Sequence, residues 1–207
     1  MPKLTDMIAI REKETVAFVG SGGKTALMWL LADHYRQSKT LVTTTTKIFY
    51  DRDRHFEDFR DSRSLLSLPI VRGVTLAGEV LHGEESGKLG GLNPESLEKG
   101  KELFDRVFIE GDGSRRLPLK GWADHEPVVP WFTGCTIGVI TLWSVGMPIN
   151  ESIIFRLPVF CEISGAKEGD ALTIAHVAAA IAHPRGLWKG SRGRRILFIN
   201  QVEDLSG

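Results

Sequence analysis

Six consecutive residues, Gly20-Ser21-Gly22-Gly23-Lys24-Thr25, carry the chemistry of an anion cradle. Glycines at 20, 22 and 23 let the backbone curl until successive N–H groups point at one anion. The free N–H groups that open the following helix add to that field. Lys24 supplies a full positive charge, worth roughly 4 kcal/mol per close charge pair at an effective dielectric of ~20, before desolvation. The Thr25 hydroxyl stands where a Mg²⁺ ligand is expected when the anion is a polyphosphate. Further along, the apolar run Val107-Phe108-Ile109 delivers Glu110, with Asp112 two residues on. A carboxylate behind such a strand positions Mg²⁺ directly or through water. Either acid is suited to that task, and "GDG" is also strong turn chemistry.

The usual phosphate-loop pattern, G-x-x-x-x-G-K-[ST], demands a glycine where this chain has Phe18. A phenylalanine there keeps β geometry, so the bend must begin at Gly20. The compressed loop resembles the G-[ST]-x-G-K-[ST] loop of Mur ligases. A strand ahead of it and a helix behind it are the context the motif requires.

Several further residues are candidates. In "TTTTK" (Thr43 to Lys47), Thr45 could hold magnesium-linked water and Lys47 could meet phosphate, although four threonines also suit a strand. Arg115, Arg116 and Lys120 follow the acidic turn and could hold an anionic substrate or a γ-phosphate. His125 and Glu126 form a pair capable of acid–base work, or an ordinary loop pair. The ending "FINQVED" offers Asn200 for base recognition. Guanine-reading loops carry N-K-x-D, because a carboxylate accepts both donors on that base. Here Gln201 and Glu203 depart from the pattern, and Asp204 serves only if the loop shifts by one residue. The base therefore stays open between ATP and GTP.

The elements that must position these residues follow from periodicity. Thr15 to Val19 and Thr40 to Thr46 read as strands. Lys24 to Gln37 reads as a helix with Leu27, Leu30, Leu31 and Tyr35 on one side and much of its remaining surface apolar. Asp51 to Ser64 is dense in both charge signs and reads as a solvated excursion (about 51–68) held down by Phe56 and Phe59. "VTLAGEVLHGEESGKLGGL" reads as a strand followed by a glycine-rich hairpin or loop. Asn93-Pro94-Glu95 opens a helix expected to run to about Phe104. "RVFIE", "CTIGVITLW" and "RRILFINQ" are apolar strands, and "ALTIAHVAAAIAHP" is a helix stopped by Pro184. That order predicts a three-layer α/β fold of the P-loop NTPase kind, a mainly parallel sheet with helices on both faces.

The 207 residues suit a single nucleotide-binding domain. The 26 basic and 26 acidic side chains cancel, which removes the bulk field that draws a chain to nucleic acid or anionic membrane. Two distant cysteines, Cys135 and Cys161, exclude a disulfide framework and fit a reducing compartment. The charged N-terminus and the lack of a ~20-residue apolar run predict a cytoplasmic protein.

"FVGSGGKT", "VTTTTKI", "IEGDGSRRLPLKG", "HEPVVP", "HPRGLWKG" and "INQVED" occur in an order that resembles the selenium-dependent hydroxylase accessory proteins, the YqeC family. The likeness spans Phe18 to Asp204, and the run E-x-D-G-[AS]-x-x-x-P-[LI]-K, here Glu110 to Lys120, is its most specific part. The resemblance implies a phosphate-loop protein linked to maturation of selenium-containing molybdenum hydroxylases, with such an enzyme or its cofactor as partner. It also brings Lys120 forward as a site residue, and implies a longer chain with a further C-terminal segment. The expected activity is slow, Mg²⁺-dependent hydrolysis of ATP or GTP. A small-molecule kinase or ATP-dependent ligase and a non-enzymatic, nucleotide-bound assembly partner are the alternatives.

Overall fold

The computed structural model describes residues 3–49 and 54–202. In chain order its elements are α1 (Leu4–Ile8), β1 (Glu14–Gly20), α2 (Lys24–His34), β2 (Lys39–Thr44), β3 (Lys47–Phe49), β4 (Asp58–Arg60), β5 (Gly73–Ala77), β6 (Glu79–Val80), β7 (Lys88–Gly90), α3 (Pro94–Gly100), β8 (Arg106–Glu110), β9 (Leu119–Lys120), β10 (Cys135–Thr141), β11 (Ile154–Phe155), α4 (Leu157–Ser164), α5 (Ile174–Ala182) and β12 (Arg194–Asn200). Seven strands form the central sheet in the order β12-β10-β1-β8-β2-β5-β4, and every pairing within it is parallel.

Strand alternation divides the core into layers. Val16 and Phe18 of β1, Val42 of β2, Phe108 of β8 and Ile137 of β10 face α2, whose Leu27, Met28 and Leu31 close over them. The residues one position away, Val19, Ile140, Leu41, Val107 and Ile109, face the opposite way. There they meet α4 and α5 at one end and Leu97 of α3 at the other. A parallel sheet covered on both faces needs apolar residues at both parities, and the strands supply them. This is the three-layer α/β arrangement expected of a P-loop-like fold.

The site follows from the order of the strands. The chain leaves β1 through α2 toward β2 on one side, whereas it leaves β8 toward β10 on the other side of β1. β1 and β8 are neighbours, so the two connections diverge and open a crevice at their carboxyl ends. Open α/β sheets bind ligands at such a switch point. Gly20 ends β1 and Glu110 ends β8.

Phe18 does not enter the loop. It is fully buried in β1, is register-paired with Glu110, and packs edge-on against Phe108 at 5.8 Å between ring centroids. The turn starts at Gly20, with φ of 101°, where an added Cβ would lie 2.2 Å from the Val139 carbonyl oxygen.

Two expectations need correction. The charged segment after residue 50 is not simply a solvated excursion, because β4 lies within it and forms an edge of the central sheet. Its Arg60 is buried because the guanidinium reaches Asp58 Oδ2 at 2.7 Å and the carbonyls of Ser64 and Pro69 at 3.1 and 2.8 Å. Phe56 and Phe59 do pack against the core. Residues 51–53 of that segment lie outside the described residues. Leu30, expected on the buried side of α2, is 48% exposed. The glycine-rich hairpin forms as β6 and β7, and β3 adds to it antiparallel, which the threonine-rich stretch did not announce. No helix among the described residues is long and apolar enough to cross a membrane.

Restoring the motif's missing glycine should therefore harm the protein. Phe18→Gly is expected to cost at least about 3–5 kcal/mol of unfolding free energy, the usual cost of truncating a buried phenylalanine to alanine. Urea-induced unfolding measures it.

Candidate active site

The loop is held from below by a buried carboxylate. Asp112, wholly inaccessible, accepts the Gly20 N–H with both oxygens at 3.1 Å. The same carboxylate accepts from Trp122 Nε1 at 2.9 Å and from Lys120 Nζ at 3.0 Å. Lys120 also donates to the Gly113 carbonyl at 2.5 Å and to Glu126 Oε2 at 2.7 Å, so its three hydrogens are engaged. Arg156 completes the chain by gripping Glu126 with both terminal nitrogens. Burial works against the Glu126 charge, but Arg156 and Lys120 override it and hold the carboxyl below its ordinary value.

Lys24 opens α2 beneath the turn. Its ammonium donates to the Gly20 carbonyl at 2.6 Å and lies 3.3 Å from Asp112 Oδ1 and 3.7 Å from Glu110 Oε1. Burial opposes its charge, yet Asp112 and then Glu110 outweigh burial and keep the lysine above its ordinary value. Glu110 behaves oppositely. Burial dominates and raises its carboxyl above the ordinary range, despite Lys24 and the Thr25 hydrogen bond. Thr25 Oγ1 donates to Glu110 Oε2 at 2.8 Å, bringing a hydroxyl and a carboxylate together at the cavity wall.

The Gly20 N–H is taken by Asp112 and that of Ser21 by the Val139 carbonyl. Those of Gly22 and Gly23 have no acceptor among the described residues. Asn200, considered above for base recognition, donates to the Gly22 carbonyl at 2.9 Å and braces the loop from β12. A Cβ on Gly23, whose φ is 128°, would stand 2.6 Å from the Asn200 amide nitrogen. Glu203 and Asp204 lie outside the described residues.

A cavity of about 1050 Å³ opens in front of the loop. Gly22, Gly23, Lys24, Thr25, Thr45, Lys47, Glu110, Arg115 and His125 all line it, whereas Asp112 and Lys120 lie behind its wall. Of the two candidate acids, Glu110 is thus the one that faces the cavity. Thr45 donates to the Val128 carbonyl at 2.7 Å, and Lys47 pairs with Glu85 at 2.6 Å on the surface. Arg115 and Arg116 stand in the turn Ser114 to Leu117, closed by a 2.9 Å backbone hydrogen bond, with φ of 50° and 62°. Left-handed backbone costs a side-chain-bearing residue about 1–2 kcal/mol. Seven Lys or Arg residues (Lys24, Lys47, Arg54, Lys88, Arg115, Arg116, Arg156) line this cavity, against Glu110 and Glu126 among the described residues.

Residues 16–158 match the family model described as YqeC protein. The chain belongs to the YqeC family. Over 203 residues it is 30% identical to "Uncharacterized protein YqeC" of Escherichia coli (strain K12), covering 95% of this chain and 79% of that protein. No solved structure matches it. The family match encloses the loop, both acids, Lys120, Glu126 and Arg156, while Asn200 lies beyond it.

Sequence reasoning missed Trp122 and Arg156 as parts of this assembly. Trp122 stands two residues after Lys120, where tryptophan beside "LKG" reads as core. Arg156 carries no local signal, since it meets Glu126 only through the fold.

The raised Glu110 carboxyl has a consequence for stability. Below its unfolded value of 4.5 it is protonated in both states and costs nothing. As pH rises through the higher folded value, the unfolded state gains from ionisation first and stability falls. Glu110→Gln should therefore be more stable than wild type at neutral pH, the gap closing below pH 4.5. Urea unfolding across that range tests it.

Proposed function

We propose that this protein binds a Mg²⁺–nucleoside triphosphate at the Gly22–Thr25 turn, hydrolyses it slowly, and serves as an accessory factor in the maturation of selenium-dependent molybdenum hydroxylases. The observation that carries the nucleotide reading is the convergence of unpaired loop N–H groups, Lys24, Thr25 and Glu110 on one cavity at the switch point of the sheet. Membership of the YqeC family supports the maturation role.

In this reading the Gly22 and Gly23 N–H groups and Lys24 hold the β- and γ-phosphates. The Thr25 hydroxyl and the Glu110 carboxylate are hard oxygen donors already together at 2.8 Å, a set that suits Mg²⁺. Among the described residues no cluster of three His, Cys, Asp or Glu forms a metal cage, so phosphates and water would complete the shell. The ion would neutralise charge on the phosphates. Glu110 completes the metal shell or orients an attacking water. Asp112 takes no part in the chemistry and holds the loop. Catalysis then consists mostly of positioning and charge neutralisation.

The test is a titration of ATP and of GTP, each with and without Mg²⁺, on wild type and on Lys24→Ala and Thr25→Ala variants shown to be folded by circular dichroism. Lys24→Ala is expected to lose at least about tenfold in affinity, ~1.4 kcal/mol. Thr25→Ala should lose mainly the Mg²⁺-dependent part. Unchanged affinity and turnover in Lys24→Ala would remove the assignment. Release of bare nucleoside diphosphate, without a phosphorylated or ligated metabolite, marks hydrolysis rather than transfer.

A further inference from the structure

The cavity is large, and two of the cations on its wall have no carboxylate partner among the described residues. At about 1050 Å³ it reaches the upper end of the ~300–1,000 Å³ usual for one small ligand. Of the cations on its wall, Lys47 and Lys88 pair with Glu85. In the buried network Lys24, Lys120 and Arg156 are matched by Glu110, Asp112 and Glu126. Unmatched positive charge sits on the turn Ser114 to Leu117.

Arg115 and Arg116 have no carboxylate partner among the described residues and lie over aromatic rings instead. The Arg115 guanidinium lies 5.0 Å from the Phe155 centroid, and that of Arg116 4.1 Å from the Phe49 centroid. A guanidinium held over a ring by its cation–π contact spends no N–H donor on that contact, so its donors stay open to an oxyanion. Two adjacent residues that bear side chains are held in left-handed backbone, a strained choice for a turn that glycine or asparagine would form freely. Such strain persists where the surrounding structure fixes it, and it clusters at ligand sites.

From these observations we infer that the cavity is a two-ligand site. Arg115 and Arg116, on their aromatic supports, form a second oxyanion subsite for a small molecule bearing phosphate or carboxylate, bound together with the nucleotide. This rests on the nucleotide reading above and gives that site its substrate class.

The experiment loads wild-type protein with Mg²⁺ and a non-hydrolysable triphosphate analogue at saturation, then titrates inorganic phosphate and, separately, citrate by calorimetry. The expected result is binding of at least one of them to the loaded protein. The variant Arg115→Gln/Arg116→Gln should weaken that binding at least tenfold more than it weakens the analogue. Tighter phosphate than citrate identifies a phosphorylated ligand, and the reverse a carboxylate. Three results would overturn the inference: no second anion on loaded wild type, equal anion binding by variant and wild type, or a loss confined to the analogue. The last would make the arginines partners of the γ-phosphate. Failure of wild type to bind the analogue at all would instead overturn the nucleotide reading, and this inference with it.

Discussion

A single carboxylate with no access to water organises the carboxyl ends of β1 and β8. Asp112 lies two residues past β8 and takes the N–H of the last residue of β1 with both oxygens, tying the two strands where the sheet diverges. An isolated charge there would be prohibitively costly. It persists because Lys120 and Trp122 donate to it and Lys24 lies alongside. Each of those is fixed in turn: Lys120 by Glu126 and the Gly113 carbonyl, Glu126 by Arg156. Breaking one member of such a set costs several kcal/mol, because it leaves an uncompensated buried charge. This explains why one short run carries both acids and Lys120. Glu110 faces the cavity, Asp112 faces the loop's underside, and Lys120 neutralises the second.

The same division of labour answers for Phe18. In the longer phosphate-loop pattern an outer glycine begins the bend. Here the bend begins at Gly20, and the Asp112 carboxylate anchors its amide from below while Asn200 steadies the Gly22 carbonyl from β12. Position 18 is thereby released to the core, where an aromatic side chain packed on Phe108 is worth more than backbone freedom.

Much of this was legible in sequence. β1, α2, β8, β10 and α5 were marked by apolar runs bounded by glycine, proline or capping residues, and the Asn93 cap is formed as expected, accepting the Ser96 N–H at 2.8 Å. The parallel sheet followed from their alternation. Sequence could not separate the roles of Glu110 and Asp112. Two residues apart, they would share a face in a continuing strand, but the strand ends at Glu110 and the backbone turns, sending the second carboxylate inward. β4 was hidden for a different reason. An edge strand needs hydrogen bonds on one side only, and its charged residues are satisfied by carbonyls that only the folded loop supplies. Arg156 was invisible because its partner is thirty residues away.

The position of Lys24 bears on how an anion could enter. Its ammonium rests on the Gly20 carbonyl and against Asp112, occupying the place of a countercharge within the turn it opens. On the proposed nucleotide reading, a bound phosphate would have to draw it forward. The cost depends on what the ammonium leaves behind. Asp112 keeps the Gly20 amide, the Lys120 ammonium and the Trp122 indole, so it is not orphaned. Glu110 does lose a cation, and burial already makes its charge unwelcome. On the proposed reading, a divalent cation bound with the phosphates would supply positive charge to that carboxylate in place of the lysine. Glu110, whose charge burial opposes and Lys24 supports, is therefore the carboxylate of this network that a bound metal–polyphosphate, as proposed, would favour.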